Sequence, residues 1–493
     1  MSIFHRFLAV DLGAESGRAE LVTLDENRIE LKEIHRFQNR PVKLNGTLFW
    51  DFPFLFAEIL YALKMCADRA IRLDGIGIDT WGVDFGLLDP DSHLLSNPVH
   101  CRDTRTEGIH KYSDPIMSRE EIFSLTACEP WTISSLFQLL AIQRDNPSLL
   151  NIACSFLHMP DLFNFFLTGI KVSERSIVST SNLLATNGQW CSDVIRKFGL
   201  PDIFQKLVEP GTMLGPISPE IKAQTNLGDV PVIATCGHDT AAVAAAIPAS
   251  GENWAFLSSG TWSILGMLRR EPVTSKNFFE KGFSNEYSLG GWFLCRNIIG
   301  LWLIQELCRK WDTPADAWNY DRMTREAAEV KSGPMLDVAD ESLLSPPDME
   351  KALRDLFLIH GQPAIDSRGE LVRCVLESLA LEYAFRMDMM RDVSGSSIES
   401  LFMVGGGTAN TLLCQLTANA CDLTVFAGVP QCTSLGNALV QANAMDIVNG
   451  PDQIREIMRN SFDLISYEPQ DSSIWKEKLD IYRELKCNRR PSS

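Results

Sequence analysis

The chain has 493 residues, with 45 Lys and Arg against 63 Asp and Glu, a formal net charge of −18. That length is too great for one ordinary core and predicts two or three domains, and 45% apolar with 22% charged residues is a globular composition. The acidic balance argues against sequence-independent nucleic-acid binding, which needs clustered cations, and any anionic ligand must be held by local donors or a metal ion.

Thirteen cysteines are scattered with no Cys-x-x-Cys pair, so the usual zinc and redox spacings are absent. Buried, inert thiols in a reducing cytoplasm are expected, including Cys101, Cys154 and Cys236 in apolar surroundings. No apolar run approaches the roughly 20 residues of a membrane span. The start of the chain has no apolar stretch followed by a small-residue cleavage site.

In chain order, Phe7–Val10, Arg18–Val22 and Ile29–Phe37 read as strands with turn signals between them. Between the first two lies a glycine turn, Asp11-Leu12-Gly13-Ala14-Glu15-Ser16-Gly17-Arg18. Phe56, Ile59, Leu60 and Leu63 recur at helical spacing, which predicts a helix over Pro53–Asp68. Gly75–Thr80 and Val83–Leu88 read as strands joined by a tight Trp81-Gly82 turn. Arg119–Arg144 is mostly helical, with a break at Glu129-Pro130. Val230–Thr235 is an apolar strand ending at Gly237-His238-Asp239, which opens an Ala-rich helix stopping at Pro248.

The second half repeats this order. Asn253–Leu257 and Trp262–Met267 are strands around a second glycine turn, Ser258-Ser259-Gly260-Thr261-Trp262-Ser263. Asn297–Lys310 and Glu370–Met390 read as helices. Leu401–Val404 is a strand running into Gly405-Gly406-Gly407 and a helix from about Asn410; Leu423–Ala427 and Ser434–Met445 follow as strand and helix. The division expected is residues 1–249, 250–470, and a terminal helix and tail over 471–493, frayed from Lys486.

Each chemical candidate has a structural alternative. The first glycine turn can present N–H groups to a phosphate, with Asp11 placed to hold Mg²⁺; an ordinary hairpin gives the same pattern. No Walker lysine and no G-x-G-x-x-G follows, so neither a P-loop nor a dinucleotide fold is indicated. Gly405–Gly407 suits a phosphate or nucleotide at a helix start, or is a flexible connection. Asp239 at a strand end can take a proton from a hydroxyl, can cap its helix, or can form a His-Asp metal pair with His238. Asp79 and Asp84 flank a turn at which Gly82 admits a sugar against the Trp81 indole, or at which Trp81 is core. Arg102-Asp103-Thr104-Arg105 reads as an internal ion-pair brace.

Together these motifs resemble the FGGY carbohydrate kinases, of the actin, sugar kinase and Hsp70 superfamily. The resemblance runs from Phe7 to about Asn449. It rests on Ala9-Val10-Asp11-Leu12-Gly13-Ala14, Gly77-Ile78-Asp79-Thr80-Trp81-Gly82-Val83-Asp84, Arg102-Asp103-Thr104-Arg105-Thr106, Met159-Pro160-Asp161, Gly237-His238-Asp239-Thr240, Leu257–Ser263, Arg296-Asn297-Ile298-Ile299-Gly300-Leu301-Trp302 and Gly405-Gly406-Gly407.

The resemblance implies an α/β fold of two related ribonuclease H-like domains with the active site in a cleft between them. It implies transfer of the γ-phosphoryl group of ATP, with Mg²⁺, to the 1-hydroxyl of a ketose. L-rhamnulose is expected first, with L-fuculose, L-ribulose and D-xylulose as alternatives, and a non-catalytic nucleotide sensor as the reading from another class. By the same resemblance Asp239 is the general base. Gly82, His238, Thr240 and Asn297 contact the sugar together with Asp239. Ala14, Glu15, Ser16, Gly17, Arg18, Thr261, Gln305 and Gly406 contact ATP, and Asp11 supports Mg²⁺. A ketose is the implied partner of a monomer or homodimer, with neither nucleic acid nor membrane. The chain departs from the family at Ile133–Leu139, at Cys101, where a tyrosine is usual, and at Glu174–Ser181.

Overall fold

A computed structural model describes residues 4–365 and 367–487. The chain forms two compact units. The first holds residues up to Pro248 together with Leu268–Leu294 and Cys432–Ser461, and the second holds Ala249–Met267, Cys295–Gln431 and the chain from Phe462.

The first unit is built on a six-stranded sheet in the order Thr212–Pro216, Pro231–Ala234, Gly75–Thr80, His5–Leu12, Ser16–Asp25, Arg28–Gln38. His5–Leu12 runs parallel to Gly75–Thr80, which runs parallel to Pro231–Ala234. The outer pairs are antiparallel. Phe7-Leu8-Ala9-Val10 and Ile76-Gly77-Ile78 are apolar or small at every position because both faces of these strands are covered. The helix Phe52–Asp68 contributes Leu55, Ile59, Ala62 and Leu63 to the core over the sheet. The helix Cys432–Ala444 packs on His5–Leu12 and Gly75–Thr80. Gly77 permits that approach: a Cβ there would lie 2.5 Å from Asn437 Oδ1.

The second unit repeats the plan. Trp254–Ser259 runs antiparallel to Trp262–Arg269 and parallel to Ser400–Val404, which is followed by parallel Thr424–Ala427 and antiparallel Ile465–Tyr467. The 27-residue helix Arg368–Ser394 is buried along most of its length and packs on Thr411–Cys421.

Several expectations change. Asn297 is not on a helix but on the strand Gly291–Ile299; the helix starts only at Trp302. The helical spacing of Leu301, Ile304, Leu307 and Cys308 is real, but sheet pairing claims the residues before Gly300. Gly405–Gly407 does not open the helix directly. A tight turn over Gly406–Ala409 intervenes, and Asn410 caps Thr411–Cys421 by accepting Leu413 N–H at 2.9 Å.

Trp81-Gly82 is not a hairpin turn, because Gly75–Thr80 pairs with parallel neighbours while Phe85–Leu88 pairs with Ser155–His158. Cys154 is exposed, whereas burial raises the thiols of Cys128 and Cys414 to about 12. Lys486 is not frayed: it lies in the last turn of the helix Ser472–Cys487 and pairs with Asp337 and Glu382 at 2.8 and 2.6 Å. Residues 488–493 of the expected tail lie outside the described residues.

Candidate active site

The three parallel strands of the first unit end side by side, the position at which open α/β sheets bind ligands. Asp11 and Asp79 are register partners on adjacent strands. Arg18 Nε lies 3.3 Å from Asp11 Oδ2. Burial raises the Asp11 carboxyl, Arg18 opposes it, and Asp239 and Glu20 add to it, leaving it at about 6. Burial also pushes Asp79 well above the usual carboxylate range, with Asp11 adding to the effect. Asp79 Oδ2 accepts from Asn437 Nδ2 at 2.6 Å, and its Oδ1 is buried with no protein partner.

The first glycine turn is braced by Gly13 N–H to Ser16 O at 2.9 Å and by Asn39, whose amide donates to Gly13 O at 2.9 Å. Ala14 and Glu15 are exposed at its tip, while Ser16 and Arg18 are half-buried. Gly17 is buried against the Phe37 ring, which a Cβ there would meet at 2.3 Å.

Gly82 leads into Val83, whose φ of 69° is unusual for a β-branched residue. The turn is held from both sides: Val83 N–H donates to Thr180 Oγ1 at 3.0 Å, and Ser135 Oγ donates to Val83 O at 2.6 Å. Such strain persists only where the surroundings over-determine it. Trp81 is core: its indole donates to Asp84 Oδ2 at 3.0 Å and its ring lies 3.9 Å from that of Trp50.

Trp50 Nε1 and Gln138 Nε2 also donate to Asp84, at 2.7 and 2.9 Å. Asp84, His100 and Cys101 cluster like metal ligands, yet the Asp84 oxygens are already taken. The expected ion-pair brace is instead a capping motif, in which Asp103 accepts from Leu48 and Arg105 N–H and Arg105 reaches Gln138 Oε1 at 2.5 Å.

At the third strand end, Gly237 N–H donates to Glu174 Oε2 at 2.9 Å, His238 N–H to Ser176 Oγ at 3.3 Å, and Thr80 N–H to Gly237 O at 2.9 Å. Asp239 is the first residue of the helix Asp239–Ala245. Its Oδ1 accepts from Thr240 N and Oγ1 at 2.5 and 3.1 Å, a local bond rather than the capping of a residue two or three positions on. The Asp239 side chain is 35% exposed, beside a His238 side chain that is 11% exposed.

His238 Nε2 lies 3.3 Å from Asp239 Oδ1, and its Nδ1 lies 2.9 Å from Glu286 Oε2. Burial pushes the imidazole down, but the carboxylates of Glu286, Asp239 and Glu174 outweigh it and raise the ring to about 9. Glu174, raised by burial to about 7 against four donors, and Glu286 were both missed by sequence reasoning. The loose family match over Glu174–Ser181 was a signal for the first; nothing in Ser284–Ser288 marked the second.

In the second unit, Gly260 O and Thr261 O accept Leu301 and Trp302 N–H at 2.9 and 3.1 Å. This seats the start of the helix carrying Gln305 on the second glycine turn. The contact requires Gly300, where a Cβ would lie 2.7 Å from Gly260 O. Gly405 and Gly407 pack on Ser259, while Gly406 faces open space. Thr261, Gly406 and Gln305 therefore border one turn, and Asn297 is half-buried three residues before Gly300. Ala409, which ends the tight turn begun at Gly406, lines a cavity of about 550 Å³ together with Arg325, Ala328, Thr411, Leu412 and Tyr467, among others. No helix among the described residues is long and apolar enough to cross a membrane.

Two family models match the chain: the N-terminal domain of the FGGY family of carbohydrate kinases over residues 6–246, and its C-terminal domain over residues 255–445. The chain is 38% identical over 474 residues to a rhamnulokinase of Bacteroides thetaiotaomicron, covering 95% of this chain and 97% of that protein. It is 34% identical over 467 residues to a rhamnulokinase of Halalkalibacterium halodurans, covering 94% and 99%. Among solved structures, the glycerol kinase of Plasmodium falciparum with ADP superposes with a TM-score of 0.80 at 16% identity, covering 99% of both chains. With both halves matched and full-length relatives above 30% identity, this two-domain α/β chain belongs to the FGGY family of carbohydrate kinases.

Proposed function

We propose that the chain transfers the γ-phosphoryl group of ATP to the 1-hydroxyl of L-rhamnulose, giving L-rhamnulose 1-phosphate and ADP, with Asp239 as general base. The observation that carries the mechanism is Asp239 itself. It is a partly exposed carboxylate just past the end of a parallel strand, bonded to its neighbour Thr240 and set beside a cationic His238. The full-length match to proteins named rhamnulokinase supports the choice of sugar.

Phosphoryl transfer depends mainly on positioning and on stabilising the charge of the transferred group. Asp239 accepts the proton of the attacking 1-hydroxyl, a role that contributes about 10²–10⁴-fold in rate. His238, Thr240 and Gly82 bind the sugar, and the family resemblance gives Asn297 the same role. Ala14, Glu15, Ser16, Gly17 and Arg18 hold phosphate oxygens. Thr261, Gln305 and Gly406 hold the nucleotide, whose nucleoside end fits the cavity beside Ala409 and Thr411.

The first unit fits a divalent cation, because Asp11 lies beside Asp79, whose Oδ1 is buried with no protein partner, and burial raises both carboxyls, which a bound cation would offset. Asp11 would hold Mg²⁺, which when bound neutralises charge on the phosphate oxygens.

The test is ADP release across L-rhamnulose, L-fuculose, L-ribulose and D-xylulose, with the product identified by phosphorus NMR. Rhamnulose-dependent release with phosphate on C1 is expected. ADP release without added ketose, or a clear preference for another ketose, would overturn the assignment.

A further inference from the structure

We propose that Glu286 is a positioning residue for phosphoryl transfer: its carboxylate clamps the His238 ring through Nδ1 and so fixes Nε2 beside the Asp239 carboxylate. The inference rests on the reading of Asp239 as the base, and adds to it a third member that no motif marks.

The geometry is a line of three side chains, Glu286 Oε2 at 2.9 Å from His238 Nδ1 and His238 Nε2 at 3.3 Å from Asp239 Oδ1. Glu286 and His238 are both buried, at 8% exposure each. A buried carboxylate needs a charged or donor partner, and the imidazolium supplies one on the side away from Asp239. The contact is an ion pair rather than a hydrogen bond, since neither His238 Nδ1 nor Glu286 Oε2 has a hydrogen-bond partner, and a cationic ring lying between two carboxylates is held by both.

The strand that carries Glu286 is tied to the first unit on both sides of it. Ser284 Oγ accepts Glu129 N–H at 3.0 Å, and Asn285 Nδ2 donates to Ala127 O at 2.8 Å. Tyr287 N–H donates to Ser179 Oγ at 2.9 Å, and Ser288 Oγ donates to Ala241 O at 2.7 Å. Ala241 is the third residue of the helix that starts at Asp239. Glu286 therefore reaches the catalytic carboxylate by two routes, through the His238 ring and through the backbone of the Asp239 helix.

The groups facing His238 are Glu286 from its strand, Asp239 from its own helix and Glu174 from the short strand Ser173–Glu174, which accepts Gly237 N–H. Of these Glu286 is the nearest charge to Nδ1. It holds the ring cationic through neutral pH.

The experiment is a proton NMR titration of labelled histidine in the full chain, with His238 assigned by His238→Gln, alongside steady-state kinetics with L-rhamnulose. In the wild type His238 titrates near 9, and in Glu286→Gln it titrates at least about one unit lower. Glu286→Gln lowers kcat at least about tenfold, and Glu286→Asp restores part of it. The double variant with His238→Gln is no worse than His238→Gln alone, because both act through one ring.

A wild-type His238 that titrates at or below the ordinary imidazole value overturns the proposal without any variant. So do multiplicative losses in the double variant, or an unchanged titration in Glu286→Gln. Absence of ketose phosphorylation by the wild type would instead overturn the functional reading, and the titration distinguishes the two failures.

Discussion

Asn437 donates its Nδ2–H to Asp79 Oδ2 at 2.6 Å, a bond between residues 358 positions apart in the chain. Gln441 holds the Asn437 amide oxygen at 2.7 Å, and Asn437 O accepts Thr235 Oγ1 at 3.1 Å. One late helix thus fixes the ends of two central strands, and with them the carboxylate beside Asp11.

Asn437→Ala leaves Asp79 buried without that donor. Its expected cost is about 1–3 kcal/mol, the range for stranding a buried acceptor, read as a lower urea midpoint with unchanged slope. A midpoint equal to wild type would show that the bond does not order this corner of the sheet.

The glycine run separates two roles. A Cβ at Gly407 would sit 2.1 Å from Ser259 Oγ, whereas Gly406 has nothing within 4 Å. Gly407→Ala is expected to lower stability by about 1–3 kcal/mol, as overpacking does. Gly406→Ala keeps the melting temperature and raises KM for ATP, because the added methyl occupies the open side. Equal melting losses in both variants would contradict the assignment of Gly406 to nucleotide.

Stability should fall as pH rises through neutrality. Glu174 is raised by burial to about 7 in the folded chain, so the folded state binds the proton more tightly than the unfolded one. That contribution is complete below the unfolded value near 4.5 and is lost as pH rises through 7, up to about 3 kcal/mol. His238, lowered by burial but raised more by Glu286 and its neighbours to about 9, behaves in the same direction. Its contribution is complete below about 6.5 and is lost through 9. Denaturant midpoints in Glu174→Gln should flatten between pH 5 and 7 and keep the slope above it. A midpoint that rises with pH across this range would contradict these shifts.

The core strands were legible because short apolar runs bounded by turn residues suit doubly covered strands, and the places of Asp11, Gly82 and Asp239 at or past strand ends were legible from the same runs. Asn297 was placed on a helix because the apolar spacing that begins at Leu301 extends backwards by chance, while the pairing that claims it comes from elsewhere in the chain. Glu286 and Asn437 were invisible because each acts across a large sequence separation on a group it does not neighbour, and Glu174 was marked only by the loose family match over Glu174–Ser181. Trp81 was ambiguous in sequence because its role depends on Trp50 and Asp84, which fold around it.

The central claim is proton transfer at Asp239, and the most direct measurement is the rhamnulose-dependent rate of ADP release by Asp239→Asn. With near-native circular dichroism and melting temperature, kcat is expected to fall by about 10²–10⁴-fold. A rate within a few-fold of wild type in the folded variant would contradict the assignment of Asp239 as the base.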